Sequence, residues 1–457
     1  MRKTAILLLC AVLSLGAYAA ADTARVYRFR VSLADKKNNP YSLKHPEKFL
    51  SPKSLERRAK FKIKLDAHDL PVTPAYVDGL RRAGMSVLNM SKWNNTVLVE
   101  TTDSAAAVGL TSLPYVSAVR LLWAGQPAAP KAPKTDRHDI VTNRRDTLDN
   151  YYGRAVTQVE MLGVDKLHAA GFRGAGVTIA VVDGGFYNAD CLDALRGCKI
   201  LGTRNFVHPG RSVYEEQSHG MQVLSCIGSR WENAIVGTAP DASFYLLVSE
   251  DGGSESLVEE DNWCAAIEYA DSVGADIVTS SLGYYEFDNP ADSYRYRDLD
   301  GRTAAISRAA SLAAGRGMVV VNSAGNSGDE PWKKISVPAD ATDILTVGAV
   351  DADRTNTNFS SLGPAADGRV KPDVAAMGGR SAVLLVDGTV GAASGTSFSA
   401  PILCGAVACL WQACPGLSPV KLMDAVRRSG DRADYPDNVY GYGIPNVWNA
   451  YQKLMKK

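Results

Sequence analysis

A chain of 457 residues, 46% hydrophobic and 22% charged, is long enough for two or three domains and can bury a large core without disulfide or metal staples. The net charge of +1 conceals an uneven distribution: positions 22–145 carry 22 Lys and Arg against 11 Asp and Glu, whereas positions 146–457 carry 26 against 38. A basic first part can signal nucleic acid, but here the acidic remainder offers it a partner within the chain, and no nucleic-acid partner is expected.

Arg2 and Lys3 precede an apolar run from Ala5 to Leu15 and an A-x-A arrangement at Ala17 and Ala19. This predicts a secretory signal over 1–19 and a secreted, periplasmic or cell-surface location. No later segment has 18 uninterrupted apolar residues, so no transmembrane anchor is expected after its removal. Residues 22–124 read as a small α+β domain. VYRFRVSL (26–33), NTVLVET (95–101) and YVSAVRLLW (115–123) have strand character, SPKSLERRAKF (51–61) and TPAYVDGLRRAG (73–84) look helical, and DSAAAVGLTSL (103–113) is a helix capped by Asp103. Residues 125–152, rich in Pro, Ala and charge at their start, form a linker open to cutting, with Arg144-Arg145 as a dibasic point inside it.

From 153 to 457 strands alternate with helices. VTIAVV (177–182), SFYLLVS (243–249), DIVTSS (276–281), GMVVVNS (317–323) and ILTVGAV (344–350) are short apolar runs, and 257–274 and 303–317 are helical. Fully apolar strands with helical connections predict an α/β fold with a doubly wound parallel sheet, whose strand C-terminal ends face the site. Near the end, Leu403, Val407, Leu410 and Trp411 recur on one helical face, and Pro401 fits a first turn.

The rule about strand ends singles out Asp183, after VTIAVV, and Asn326, in the AGNSG loop after GMVVVNS. Alone, each fits a turn. Of six histidines, His219 stands beside Gly220 at a helix start, where a glycine lets another segment approach the ring closely. Ser397, in ASGTSFSAP, reads locally as a helix cap, as does Ser399. Together Ser397, His219, Asp183 and Asn326 supply one candidate each for nucleophile, base, orienting acid and oxyanion donor. The order Asp, His, Ser excludes the α/β-hydrolase order, and GTSFS is not a G-x-S-x-G elbow. Seven cysteines remain after the signal; Cys191 and Cys198, flanking a short polar loop, are the expected disulfide in an oxidising compartment, and Cys404 and Cys409 are expected as buried thiols. No Cys/His cluster has zinc spacing.

VTIAVVDGG, SHGMQV, SAGNSG and SGTSFSAP resemble, in that order, the aspartate, histidine, oxyanion and serine motifs of the subtilisin-like serine proteases, the subtilases. TSSLG (279–283), ILTVGAVD, FSSLGP (359–364) and VKPDVAAMG (370–378) extend the resemblance over roughly 156–451. It implies a subtilisin-like fold and a secreted serine endopeptidase acting on polypeptides, with Asp183, His219 and Ser397 as its triad and Asn326 as its oxyanion donor. It also implies that Ser281, Leu282 and Gly283 pair with an extended substrate backbone. Ser323, Ala324 and Gly325 would form the opposite wall of a roomy, uncharged P1 pocket with broad or apolar preference. No cofactor is required for the chemistry; structural calcium is common in the family, but its ligands are not assignable here. The first domain then corresponds to a propeptide that docks on the catalytic part until self-processing, its basic balance giving that docking a physical basis. Departures from the family pattern are Gly184, Met221, Gln222, Phe398 and Ser399; none moves a proton, but Gly184 removes a hydroxyl beside Asp183. Three alternatives stay open: a pseudoprotease or peptide-binding protein that uses the same cleft without turnover, a different serine hydrolase, and a first domain that is a permanent accessory.

Overall fold

In the computed structural model, which describes residues 25–126, 140–142 and 144–456, the alternation of VYRFRVSL becomes β1 (Val26–Leu33). It is flanked by β3 (Thr96–Thr101) and β4 (Val116–Gly125) in an antiparallel sheet of order β2-β3-β1-β4. The edge strand β2 (Ser86–Ser91) is absent from the sequence reading because a register shift between Val87 and Asn89 interrupts its period of two. The expected signal segment and the 127–139 part of the linker lie outside the described residues.

On one face of this sheet Phe29, Val31, Val97 and Val99 pack with α2 (Pro74–Arg82) and α3 (Ser104–Gly109). Asp103 caps α3, accepting from Ala106 N at 3.0 Å. The helix α1 (Pro52–Lys60) begins at Pro52, with Ser51 as its cap. The sheet's other face sends Leu98 and Leu122 into the core of the second unit, where Trp93 joins them.

That unit opens with α4 (Val156–Glu160) and α5 (Val164–Ala169) and is built on seven parallel strands. These are β5 (Thr178–Asp183), β6 (Lys199–Asn205), β9 (Ser243–Val248), β10 (Ile277–Ser280), β11 (Val319–Ser323), β12 (Leu345–Val350) and β13 (Val374–Met377). Short hairpins β7 (Arg230–Trp231) with β8 (Ile235–Val236), and β14 (Ser381–Leu384) with β15 (Val390–Ala393), lie outside the main sheet. The strand order is β13-β12-β11-β10-β5-β9-β6. Winding reverses between β5 and β10, so a crevice opens at their C-terminal ends.

Alternation along β5 divides the core. Ile179 and Val181 join the apolar cluster of α6 (His219–Gly228) and α9 (Thr396–Ala413); Ala180 and Val182 join that of α7 (Leu257–Val273) and α8 (Ala305–Gly315). α10 (Pro419–Arg427) and α11 (Val447–Met455) follow, the last α-helices among the described residues. In α9, 16 of 18 residues are buried. Its length and apolarity would suit a membrane span, and burial against the sheet accounts for both. Pro401 lies beyond the first turn, contrary to expectation. Lacking an N–H, it leaves the Ser397 carbonyl without its helical donor, and Ser281 Oγ takes that place at 2.8 Å.

The two units meet along α7. Arg30 clasps Asp261 at 2.6–3.0 Å, and Glu268 accepts from Ser91 Oγ, Lys92 N and Trp93 N. Arg57, Arg58 and Lys92 surround the fully buried Asp271. Burial alone would raise that carboxyl, but the three cations hold it at about 2. Part of the charge imbalance between the halves of the sequence is thus met on this helix, and Lys53–Asp276 and Arg120–Asp292 add pairs beside it. Ile140 N donates to Cys191 O at 2.8 Å and Asp146 Oδ2 accepts from Val390 N at 3.1 Å, so the expected linker touches the second unit at both of these residues.

The expected Cys191–Cys198 disulfide does not form: all seven cysteines among the described residues are thiols. The intervening segment is a turn with Leu192, Ala194 and Leu195 buried, rather than a polar loop. It directs Cys198 Sγ to Gly228 O at 3.1 Å, while Cys191 Sγ lies 3.6 Å from Asp190 Oδ1. Cys404 and Cys409 are fully buried.

Candidate active site

β5 ends on Asp183, whose Oδ1 accepts from Gly184 N at 2.8 Å and lies 2.8 Å from His219 Nδ1. His219 is the first residue of α6, and the next residue explains how that helix approaches the strand end. A Cβ on Gly220 would sit 2.8 Å from Asp183 Cβ and 3.0 Å from the Phe186 ring. The Asp183 charge raises the imidazole to about 9 against the opposing effect of burial, with a smaller contribution from Glu250. Among the described residues, Asp183 Oδ2 is buried without a hydrogen-bond partner. Gly184 supplies none, and the Gln217 carboxamide lies 3.0 Å from where its Cβ would be.

Ser397 is the second residue of α9, behind Gly395 and Thr396. Its Oγ donates to Ser281 O at 3.4 Å, and no hydrogen bond joins it to His219, although both line one cleft. In such sites that link commonly tightens only when substrate docks. Asn326, in the loop after β11, is oriented by a residue the sequence reading left without a role. Its Oδ1 accepts from Thr396 N at 2.8 Å and Thr396 Oγ1 at 2.9 Å, which leaves Nδ2 as the unengaged end of the amide. The Ser397 N–H, in the first turn of α9, is a second donor at the positive end of a helix. Ser399 Oγ turns back to Thr396 O at 3.0 Å and is structural.

Ser281, Leu282, Gly283, Ser323, Gly325 and Asn326 line the same cleft, a cavity of about 330 Å³. Ala324 does not: it is fully buried and its side chain belongs to the core. Nor is the lining apolar as expected, because Ser336 and Ser361 bring hydroxyls to it. Both come from irregular segments with no periodic signal to place them; Ser361 lies within the FSSLGP segment. Glu250, just beyond β9, also lines the cleft, and its carboxyl is pushed up to about 7 by burial first and the Asp183 charge second.

Among the described residues, Glu250, Glu255 and Glu259 are the one group with metal-ligand spacing, their carboxylate oxygens lying within 4.8 Å of one another. Glu259 has a structural use at the start of α7, accepting from Asp251 N at 2.9 Å and Ser256 N at 3.4 Å.

A parallel sheet whose winding reverses beside an Asp–His pair, with a serine presented by a helix start across the cleft, defines a subtilisin-like α/β protein. The comparisons agree. A family model described as "Subtilase family" matches residues 174–443, and one described as "Peptidase S8 propeptide domain, Bacteroidota" matches 28–138. The chain belongs to the subtilase family. Serine protease AprX of Bacillus subtilis (strain 168) is 31% identical over an alignment of 309 residues that covers 61% of this chain and 66% of AprX, just under two thirds of its length. Subtilisin DY of Bacillus licheniformis is 28% identical over 64% of this chain and 97% of its own. Among solved structures, the MycP3 protease from the type VII (ESX-3) secretion system superposes with a TM-score of 0.54 at 20% identity, covering 71% of this chain and 94% of its own. MycP1 with its N-terminal propeptide removed gives 0.50 at 23%, covering 65% and 96%. These two likenesses concern the fold.

Proposed function

We propose that the chain is a serine endopeptidase made as an exported precursor, with Ser397 as nucleophile, His219 as general base, Asp183 as its orienting acid and Asn326 as oxyanion donor. The observation that carries this reading is the 2.8 Å Asp183–His219 contact at the cleft that also holds Ser397 and Asn326. An extended polypeptide pairs along Ser281–Gly283 and brings its carbonyl to Ser397 Oγ. His219 Nε2 takes the hydroxyl proton as the Oγ–C bond forms, and the negative charge on the carbonyl oxygen falls between Asn326 Nδ2 and the Ser397 N–H. Collapse breaks the C–N bond, His219 returns the proton to the leaving amine, and water repeats the sequence on the acyl-enzyme. Every step uses side chains and backbone donors, with no cofactor. The signal segment directs export, and the N-terminal unit acts as the chain's own propeptide until the segment joining it to the catalytic unit is cut.

Because the imidazole must be neutral to act as base, a raised His219 pKa makes kcat/KM climb with pH toward half-maximum near 9. The test of the reading is covalent. A fluorophosphonate should label the processed protein and not Ser397→Ala, and casein hydrolysis should separate peptidase from esterase. Failure to label folded wild-type protein would return the chain to the peptide-binding reading. If cutting occurs in cis, Ser397→Ala accumulates as the uncut precursor.

A further inference from the structure

We propose that the cleft selects a neutral, hydrogen-bonding side chain at P1, the residue that supplies the scissile carbonyl: a carboxamide, as in glutamine or asparagine, read by the hydroxyls of Ser336 and Ser361. This rests on the protease reading of the cleft and concerns what that site accepts.

Two glycines open the cavity onto these hydroxyls. A Cβ on Gly283 would run into Ser336 Oγ. One on Gly325, whose φ is +109°, would lie 2.8 Å from Ser361 Oγ and 3.2 Å from Ser336 Oγ. Both hydroxyls therefore face one point between the two walls. Ser336 is 4% exposed and Ser361 1%. Ser336 Oγ has no hydrogen-bond partner among the described residues, although it lines the cavity. Ser361 Oγ accepts from Ser327 N at 3.0 Å and keeps its own proton to donate.

A buried hydroxyl without a partner is unfavourable, and an apolar P1 side chain would seal Ser336 in that condition. A cation would find no carboxylate on this floor; the one carboxylate in the lining, Glu250, acts on His219. A carboxamide meets both requirements, since its oxygen accepts from one hydroxyl while its NH₂ donates to the other. A site that hydrogen-bonds its substrate rejects an isostere lacking those groups far more strongly than an apolar pocket rejects an extra methylene.

The experiment measures kcat/KM of the processed enzyme on peptides that differ only at P1, with Gln, Asn, Met, Leu, Phe or Lys, for wild type, Ser336→Ala and Ser361→Ala. Wild type should cleave the Gln or Asn peptide at least about tenfold better than the near-isosteric Met or Leu peptide. Either substitution should lower the carboxamide values about tenfold while the Met and Leu values hold or rise. Met, Leu, Phe or Lys cleaved as well as Gln and Asn by wild type overturns the proposal and leaves the protease reading intact, as does an equal loss on all six peptides in both variants. Cleavage of none of them, with Ser397 unlabelled by fluorophosphonate, overturns both.

Discussion

Along α7, Asp261, Glu268 and Asp271 each meet donors from the N-terminal unit, whereas in the cleft Asp183 Oδ2 meets none among the described residues and Asn326 presents an unengaged Nδ2. Asp183 is as buried as the α7 acids, whereas Asn326 is exposed to the cleft. An interface formed once, during folding, can pair its charges; a cleft that must receive a ligand leaves groups for the ligand to complete. The same contrast holds for charge. The α7 carboxylates face several cations, while Asp183 and Glu250 share one imidazole.

The largest expected effect breaks the paired region. Asp271→Ala leaves Arg57, Arg58 and Lys92 buried against one another and should cost the Ser397→Ala precursor about 3–5 kcal/mol, read as a lower urea midpoint. The processed enzyme without its N-terminal unit should lose less than about 1 kcal/mol, because there the carboxylate faces water. Equal losses in both forms would break the comparison. In the open region, Asn326→Ala should lower kcat by about 10²–10³ with KM little changed, the loss that such a donor causes in subtilisin itself. A change confined to KM would assign Asn326 to binding alone.

Two smaller effects sharpen the contrast. Gly184→Ser places a hydroxyl beside the orphaned Asp183 Oδ2, and the exposed Gln217 side chain can move aside. A gain of one hydrogen bond at that carboxylate should raise kcat about two- to tenfold; no gain would show that the missing partner costs nothing. Glu250→Gln removes a negative charge that favours the imidazolium, so the acidic limb of the kcat/KM profile should move to lower pH. An unmoved limb would leave Asp183 as the sole source of the raised His219 pKa.

Much of the scaffold was legible because burial on both faces leaves a short-range signature. β5, β9, β10, β11 and β12 are apolar runs, and α7 is a helical stretch between two of them. β2 and β6 lacked that signature: each lies at a sheet edge, and each carries a register shift. Pro401 was misplaced because its consequence is tertiary: the carbonyl it leaves bare is satisfied by Ser281, 116 positions away. Cys191 and Cys198 are near in sequence, yet the apolar residues between them bury a turn that turns the thiols apart.

What the sequence by itself determined was the set of chemical groups and their order along the chain. Asp183, Asn326 and Ser397 sit at strand ends, loops or helix starts for reasons of local geometry, and Gly220 marks where α6 must approach β5. Only the tertiary structure decided how those groups are held and what surrounds them. Thr396 aims the Asn326 amide, Asp183 keeps one oxygen without a partner, and Ser336 and Ser361 line the cleft with hydroxyls. The physical reason is separation. Local propensity and periodicity act over a few residues, whereas the partners that orient a side chain or line a pocket here lie tens to hundreds of residues apart, and packing alone brings them together.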